Sequence, residues 1–150
     1  MAVFNSQRTY GVEIEFHSSM RANEIALAIN DGFLTDGINN TCHGERYNHN
    51  TNRNWKIVYD GSVMRGWELV SPPLSGQEGF EEIRSAVKTL VELGCSVSTQ
   101  TGLHVHHDGQ NLSGKAIGQV FGIYASYQTL IDYMVSPSRR STVGYAKRLN

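Results

Sequence analysis

A chain of 150 residues with 39% hydrophobic and 18% charged side chains, and 15 glycines against 3 prolines, has the composition of a folded globular protein with room for one core. The 13 Lys and Arg against 14 Asp and Glu leave a formal net charge of -1, so no global basic field exists to draw the chain to nucleic acid. No signal-peptide core opens MAVFNSQRTY, no window approaches the roughly 18 apolar residues of a spanning helix, and Cys42 and Cys95 form no CxxC pair. A cytoplasmic, single-domain protein with free thiols is expected, with neither nucleic acid nor a membrane as partner.

In chain order, YGVEIEF over residues 10–16 alternates strictly, with Val12, Ile14 and Phe16 on one face and Glu13 and Glu15 on the other, as a half-buried strand requires. Ser18 or Ser19 is placed to cap a short helix over 21–30, with Ile25, Leu27, Ala28 and Ile29 apolar and Gly32 permitting a turn. Residues 36–54 are rich in Asn and Gly and read as a long loop. Residues 55–59 and 66–70 have the spacing of an antiparallel hairpin around Asp60-Gly61-Ser62, and Pro72-Pro73 ends the second strand. Phe80, Ile83, Val87, Leu90 and Val91 recur at helical spacing, with Glu81 and Glu82 near the start and Gly94 as the stop. Residues 95–98 and 102–107 read as strands. Ser113 then caps a long helix whose buried side is marked by Ile117, Val120, Phe121, Tyr124, Ile131 and Met134, up to Pro137. This order predicts an α+β fold, a largely antiparallel sheet with helices packed on one face.

Three of these segments carry side chains able to do chemistry. TGLHVHHDG, residues 101–109, puts His104, His106 and Asp108 on one strand face and Val105 and His107 on the other. Imidazole nitrogen and carboxylate oxygen suit Mg, Mn or Zn, and more oxygen donors favour the harder ions. Alone, the cluster is equally a polar strand end. Alternating glutamates are common on exposed strands, but carboxylates two residues apart repel and a divalent cation relieves that repulsion. Glu68 in WELVSPP adds a third carboxylate, between Trp67 and Leu69 that face the core. Together the segments predict a polar trough on one sheet face, able to hold two cations.

The runs YGVEIEF, DGSV, WELVSPPL, TGLHVHHD and SRRSTVGYAK, in that order and spacing, resemble the amidoligase family of the carboxylate-amine ligase superfamily, which includes glutamine synthetase and glutamate-cysteine ligase. The resemblance implies a glutamine synthetase-like sheet whose concave face binds ATP and two or more Mg ions, with Mn as a substitute. It implies joining of an amino-acid or peptide carboxylate to an amine donor through an acyl phosphate. By the same resemblance Glu13, Glu15, Glu68 and His104 are metal ligands, and His106 contacts phosphate or substrate. Arg139 or Arg140 holds phosphate oxygens in nucleotide binding and catalysis, a task suited to the guanidinium fork. Asp60 orients or deprotonates the amine, although a plain turn explains it as well.

Loop 36–54 is expected to cover the site, recognise substrate or remain disordered. Family members continue downstream, so the chain is expected to lack the C-terminal part of the usual domain, to be completed by a second subunit or homo-oligomer, or to bind without catalysing. Two other readings fit the same residues: an inactive ligase-like binding or inhibitory module, and a metal-dependent hydrolase.

Overall fold

The computed structural model describes residues 8–63 and 66–140, and the chain folds as two compact units, Met1–Asp108 and Gly109–Asn150. In the first unit the period-two segments become strands of one sheet: β1 (Tyr10–His17), β2 (Cys42–Gly44), β3 (Trp55–Asp60), β4 (Gly66–Val70) and β5 (Leu103–His107), in the order β2-β3-β4-β1-β5. β1 pairs antiparallel with β4 and β5, β3 pairs antiparallel with β4, and β2 runs parallel to β3. The sheet is therefore mixed, and mostly antiparallel.

Two helices, α1 (Ala22–Thr35) and α2 (Gly76–Glu92), cover the apolar face. Val12 and Phe16 of β1, Trp55 and Ile57 of β3 and Leu69 of β4 meet Ile25, Ile29 and Phe33 of α1 and Ala86 and Leu90 of α2 in one buried cluster. Each large aliphatic or aromatic side chain buried there stabilises the fold by about 1.5–3 kcal/mol. Trp55 also donates its indole N–H to the Glu82 carboxylate at 2.7 Å, so the polar edge of the ring is satisfied inside the core.

Several local expectations change. α1 is capped at Arg21, whose backbone N–H donates to the Glu24 carboxylate at 2.8 Å, while Ser18 Oγ accepts from Met20 N. The helix does not turn at Gly32: a Cβ there would meet Thr89 Oγ1 of α2 at 2.5 Å, so the glycine serves close helix packing. The stop comes at Gly37, whose φ of 72° is in the left-handed region, with Ile38 N donating to Phe33 O. Residues 36–54 are not all loop, because Cys42–Gly44 forms the parallel edge strand. Around residues 95–98 the described structure has one bridge, Ser96 to His17, rather than a strand.

The second unit holds α3 (Gly114–Met134) and a 3-10 turn (Pro137–Arg139). Ser113 caps α3 as expected, its side chain accepting from Ala116 N at 3.2 Å. The expected buried side is not found: Ile117, Val120, Phe121, Tyr124 and Met134 are exposed, and Gln128 is the one buried residue among those described in the helix. Among the described residues of this unit, α3 has no second α-helix or strand on which to bury an apolar face. No helix among the described residues is long and apolar enough to cross a membrane.

Candidate metal centre

The face of the sheet opposite the helices carries the carboxylates and imidazoles. Register brings them together. Glu15 lies directly across from Glu68, and Glu13 directly across from His104; Gly11 sits opposite His106 and leaves room beside it. Because β1 is hydrogen-bonded to β4 on one side and β5 on the other, its two glutamates touch both neighbours.

Glu13, Glu68 and His104 each offer one ligand atom within 4.8 Å of the other two. Oε2 of Glu13 lies 3.2 Å from His104 Nδ1 and 3.2 Å from His106 Nε2. Glu15 Oε1 lies 3.8 Å from His104 Nε2, and its Oε2 accepts the backbone N–H of Gly102 at 2.7 Å. A cation bound among these groups would meet two or three carboxylate oxygens and one nitrogen, the donor set of a hard divalent ion with one softer ligand.

The electrostatics are uneven. Burial, then the nearby charges of Glu13, Asp60 and Glu15, push the Glu68 carboxyl from 4.5 up to about 7, with His104 opposing. Burial also raises Glu13, but hydrogen bonds from His106 and His104, and then their charges, outweigh it and hold that carboxyl below its ordinary value. A divalent cation placed among these groups would relieve the repulsion felt by Glu68, so the residues present fit such an ion.

Asp60 ends β3, on the same face by alternation. Its Oδ1 accepts both Ser62 N at 2.8 Å and Ser62 Oγ at 2.7 Å, an Asx turn. Oδ2 makes no hydrogen bond among the described residues. His107 belongs to β5, where every residue is exposed.

A family model described as "Putative amidoligase enzyme" matches residues 6–150. The chain belongs to the amidoligase family. No curated protein and no solved structure matches it. Amidoligases are ligase-type enzymes, a class that joins a carboxylate to an amine, and one sheet face of this amidoligase gathers Glu13, Glu15, Glu68, His104 and His106. Arg139 and Arg140 fall in the second unit, in and just after the 3-10 turn, where the Arg140 guanidinium carbon lies 6.0 Å from the Tyr133 ring centroid. The remainder of the SRRSTVGYAK motif, from Ser141 onward, lies outside the described residues.

Two residues of this face went unread in the sequence of the amidoligase. Gly102 fixes Glu15 through its backbone N–H, and a Cβ on it would come 3.3 Å from His104 Nε2 and 3.4 Å from Glu15 Oε1. The glycine just before LHVHH was the available signal. Lys56, between buried Trp55 and Ile57, is 3% exposed, and no pattern in the sequence announces that burial.

Proposed function

We propose that this amidoligase is an ATP- and Mg-dependent ligase that forms an amide or isopeptide bond through an acyl phosphate. The observation that carries this is the convergence of Glu13, Glu68 and His104 within 4.8 Å, on a sheet face that also presents Glu15 and His106. Mg, with Mn as a substitute, would be held by Glu13, Glu15, Glu68 and His104, and would supply charge neutralisation for the triphosphate and the attacking carboxylate.

The chain's own groups have distinct tasks in this reading. The substrate carboxylate oxygen bonds to the γ-phosphorus as the β–γ bridging bond breaks and ADP leaves. The amine then bonds to the acyl carbon, phosphate leaves, and one amine proton must be taken up. Asp60, held by Ser62 with Oδ2 remaining, is suited to orient the amine and take that proton. His106, bonded to Glu13 and otherwise exposed, is suited to contact a phosphate oxygen or the substrate. Arg139 and Arg140 are assigned to phosphate oxygens by the motif they occupy.

The test is Mg-dependent ADP release by the purified protein with candidate amino acids and peptides, compared with Glu15→Ala of unchanged fold. Loss of turnover in the variant is expected. Absence of both Mg and ATP binding in the wild type would refute the proposal. Zinc in the purified protein with ATP-independent bond cleavage would establish a hydrolase instead, and tight partner binding without turnover a binding module.

A further inference from the structure

Just before β5, the chain running beside β1 carries four residues more than the sheet register needs. β5 pairs with β1 so that Ile14 faces Leu103, and a continuous ladder would set Gln100 opposite His17. Ser96 stands there instead, with His17 N donating to Ser96 O at 2.8 Å and Ser96 N to His17 O at 3.1 Å. The surplus is folded out between Ser96 and Gly102 as a turn. Extra residues in an edge strand re-aim the groups beside them.

This turn is tied both to itself and to β1. Thr101 is 8% exposed, and its hydroxyl accepts Ser98 N–H at 2.9 Å and donates to Ser98 O at 3.0 Å. Ser98 O also accepts Thr101 N at 3.2 Å, and Ser98 Oγ accepts Gln100 N at 3.1 Å. The same Oγ lies 2.8 Å from Nε2 of His17, the next side chain after Glu13 and Glu15 in the alternating row of β1. The consequence falls on Glu15. In a regular antiparallel pair, Glu15 and Gly102 would exchange two backbone bonds. Glu15 N does donate to Gly102 O at 3.0 Å, but Gly102 N–H is turned onto Glu15 Oε2 at 2.7 Å. Oε1, 3.8 Å from His104 Nε2, is left as the oxygen nearest the cluster.

We infer that the Ser98–Thr101 turn, seated on His17, sets the ion selectivity of the centre: it ties one oxygen of Glu15 to Gly102, so that Glu15 offers a cation a single oxygen, which weights the site toward Mg and Mn and against Ca. Ca gathers about 6–8 oxygens and takes carboxylates two oxygens at a time, whereas Mg is held in a tighter octahedron by single carboxylate oxygens and water. His17, Ser98 and Thr101 are positioning residues here, acting through the Gly102 amide. The selectivity rests on the cation-dependent reading above; the tie between turn and Glu15 does not.

Thr101→Val keeps the side-chain shape and removes the hydroxyl, Ser98→Ala releases the turn from His17, and Thr101→Ser retains the hydroxyl as the conservative variant. In metal-free full-length protein, hydrogen exchange at the Gly102 amide, followed by NMR, should speed up about tenfold in the first two and stay within about twofold of wild type in the third. The ratio of Mg to Ca affinity, from calorimetric titration, should fall about tenfold in Thr101→Val and Ser98→Ala and be kept by Thr101→Ser. A purely structural role would speed exchange throughout β1 and β5, lower the thermal midpoint and weaken both ions alike, and that pattern overturns the proposal. Unchanged exchange at Gly102 in both variants overturns the tie. Faster exchange with an unchanged Mg-to-Ca ratio overturns the selectivity. If wild type binds no divalent cation, the ligase reading and the selectivity fall together, and exchange at Gly102 alone decides the tie.

Discussion

Replacing Glu68 by Gln should make the metal-free protein more stable while damaging its cation site. Glu68 is half-buried on β4, directly across from Glu15 on β1 and Val58 on β3, so it is crowded by carboxylate on one side and apolar on the other. Burial first, then Glu13, Asp60 and Glu15, move its carboxyl from 4.5 to about 7. At about 1.4 kcal/mol per tenfold, that corresponds to an upper bound of about 3 kcal/mol for carrying the charge in the folded state, and solvent screening of a half-buried group reduces it to about 1–2 kcal/mol. The sign follows from proton linkage: the folded state holds this proton more tightly, so the contribution to stability is fullest below the ordinary carboxyl value and is lost as pH rises toward 7. Urea unfolding of wild type and Glu68→Gln without divalent cations, near pH 4.5 and near pH 8, tests this. The variant should gain about 1–2 kcal/mol at the higher pH and only a few tenths at the lower. Added Mg should then favour wild type alone. Equal effects at both pH values, or no gain at pH 8, would refute the account of how this face is charged.

Gly102→Ala pushes a methyl to 3.3 Å from His104 Nε2 and 3.4 Å from Glu15 Oε1, so Mn affinity measured by titration should fall roughly threefold to tenfold with little change in thermal midpoint. Unchanged affinity would show that these two side chains give way without consequence. Gly79→Ala, by contrast, meets Tyr10 Oη at 2.7 Å and Leu74 Cβ at 2.8 Å inside the contact between α2 and the sheet. It should destabilise the fold by about 1–3 kcal/mol in chemical denaturation while the folded fraction keeps its Mn affinity.

The strands that bear the centre were legible because period-two alternation is a local signal. YGVEIEF declares which of its side chains are buried, and the Trp67 and Leu69 flanks of Glu68 do the same for β4. Motif order supplied the family. What stayed hidden depends on contacts distant in sequence. Gly32 looks like a helix stop until Thr89 of α2 is seen against it. Cys42–Gly44 is three residues long, too short for any periodicity, and is a strand only because β3 lies beside it. Lys56 reads as a solvated strand residue until the loop that precedes it closes over its ammonium. For α3 the helix and its Ser113 cap are legible, but spacing alone cannot name a surface that would bury its apolar residues.

Sheet order explains why neighbouring carboxylates of one centre are driven in opposite directions. Glu13 lies on β1 beside β5, and the β5 edge brings His104 and His106 against one of its oxygens. Glu68 lies on β4, on the other side of β1, where its lateral neighbours are Glu15 and Val58, and the favourable charge of His104 is opposed by those of three carboxylates. Exchanging the places of β4 and β5 would leave Glu68 beside Glu15 of β1 but separate it from Val58 and Asp60 of β3. An asymmetric arrangement of this kind leaves most of the uncompensated negative charge on the β4 side of the trough. A divalent cation would gain most there, while the imidazoles already stabilise the β5 side. The cation-dependent part of the stability should therefore vanish with Glu68 and largely survive loss of His106, a difference that Mg titrations followed by thermal unfolding of Glu68→Gln and His106→Ala can read directly.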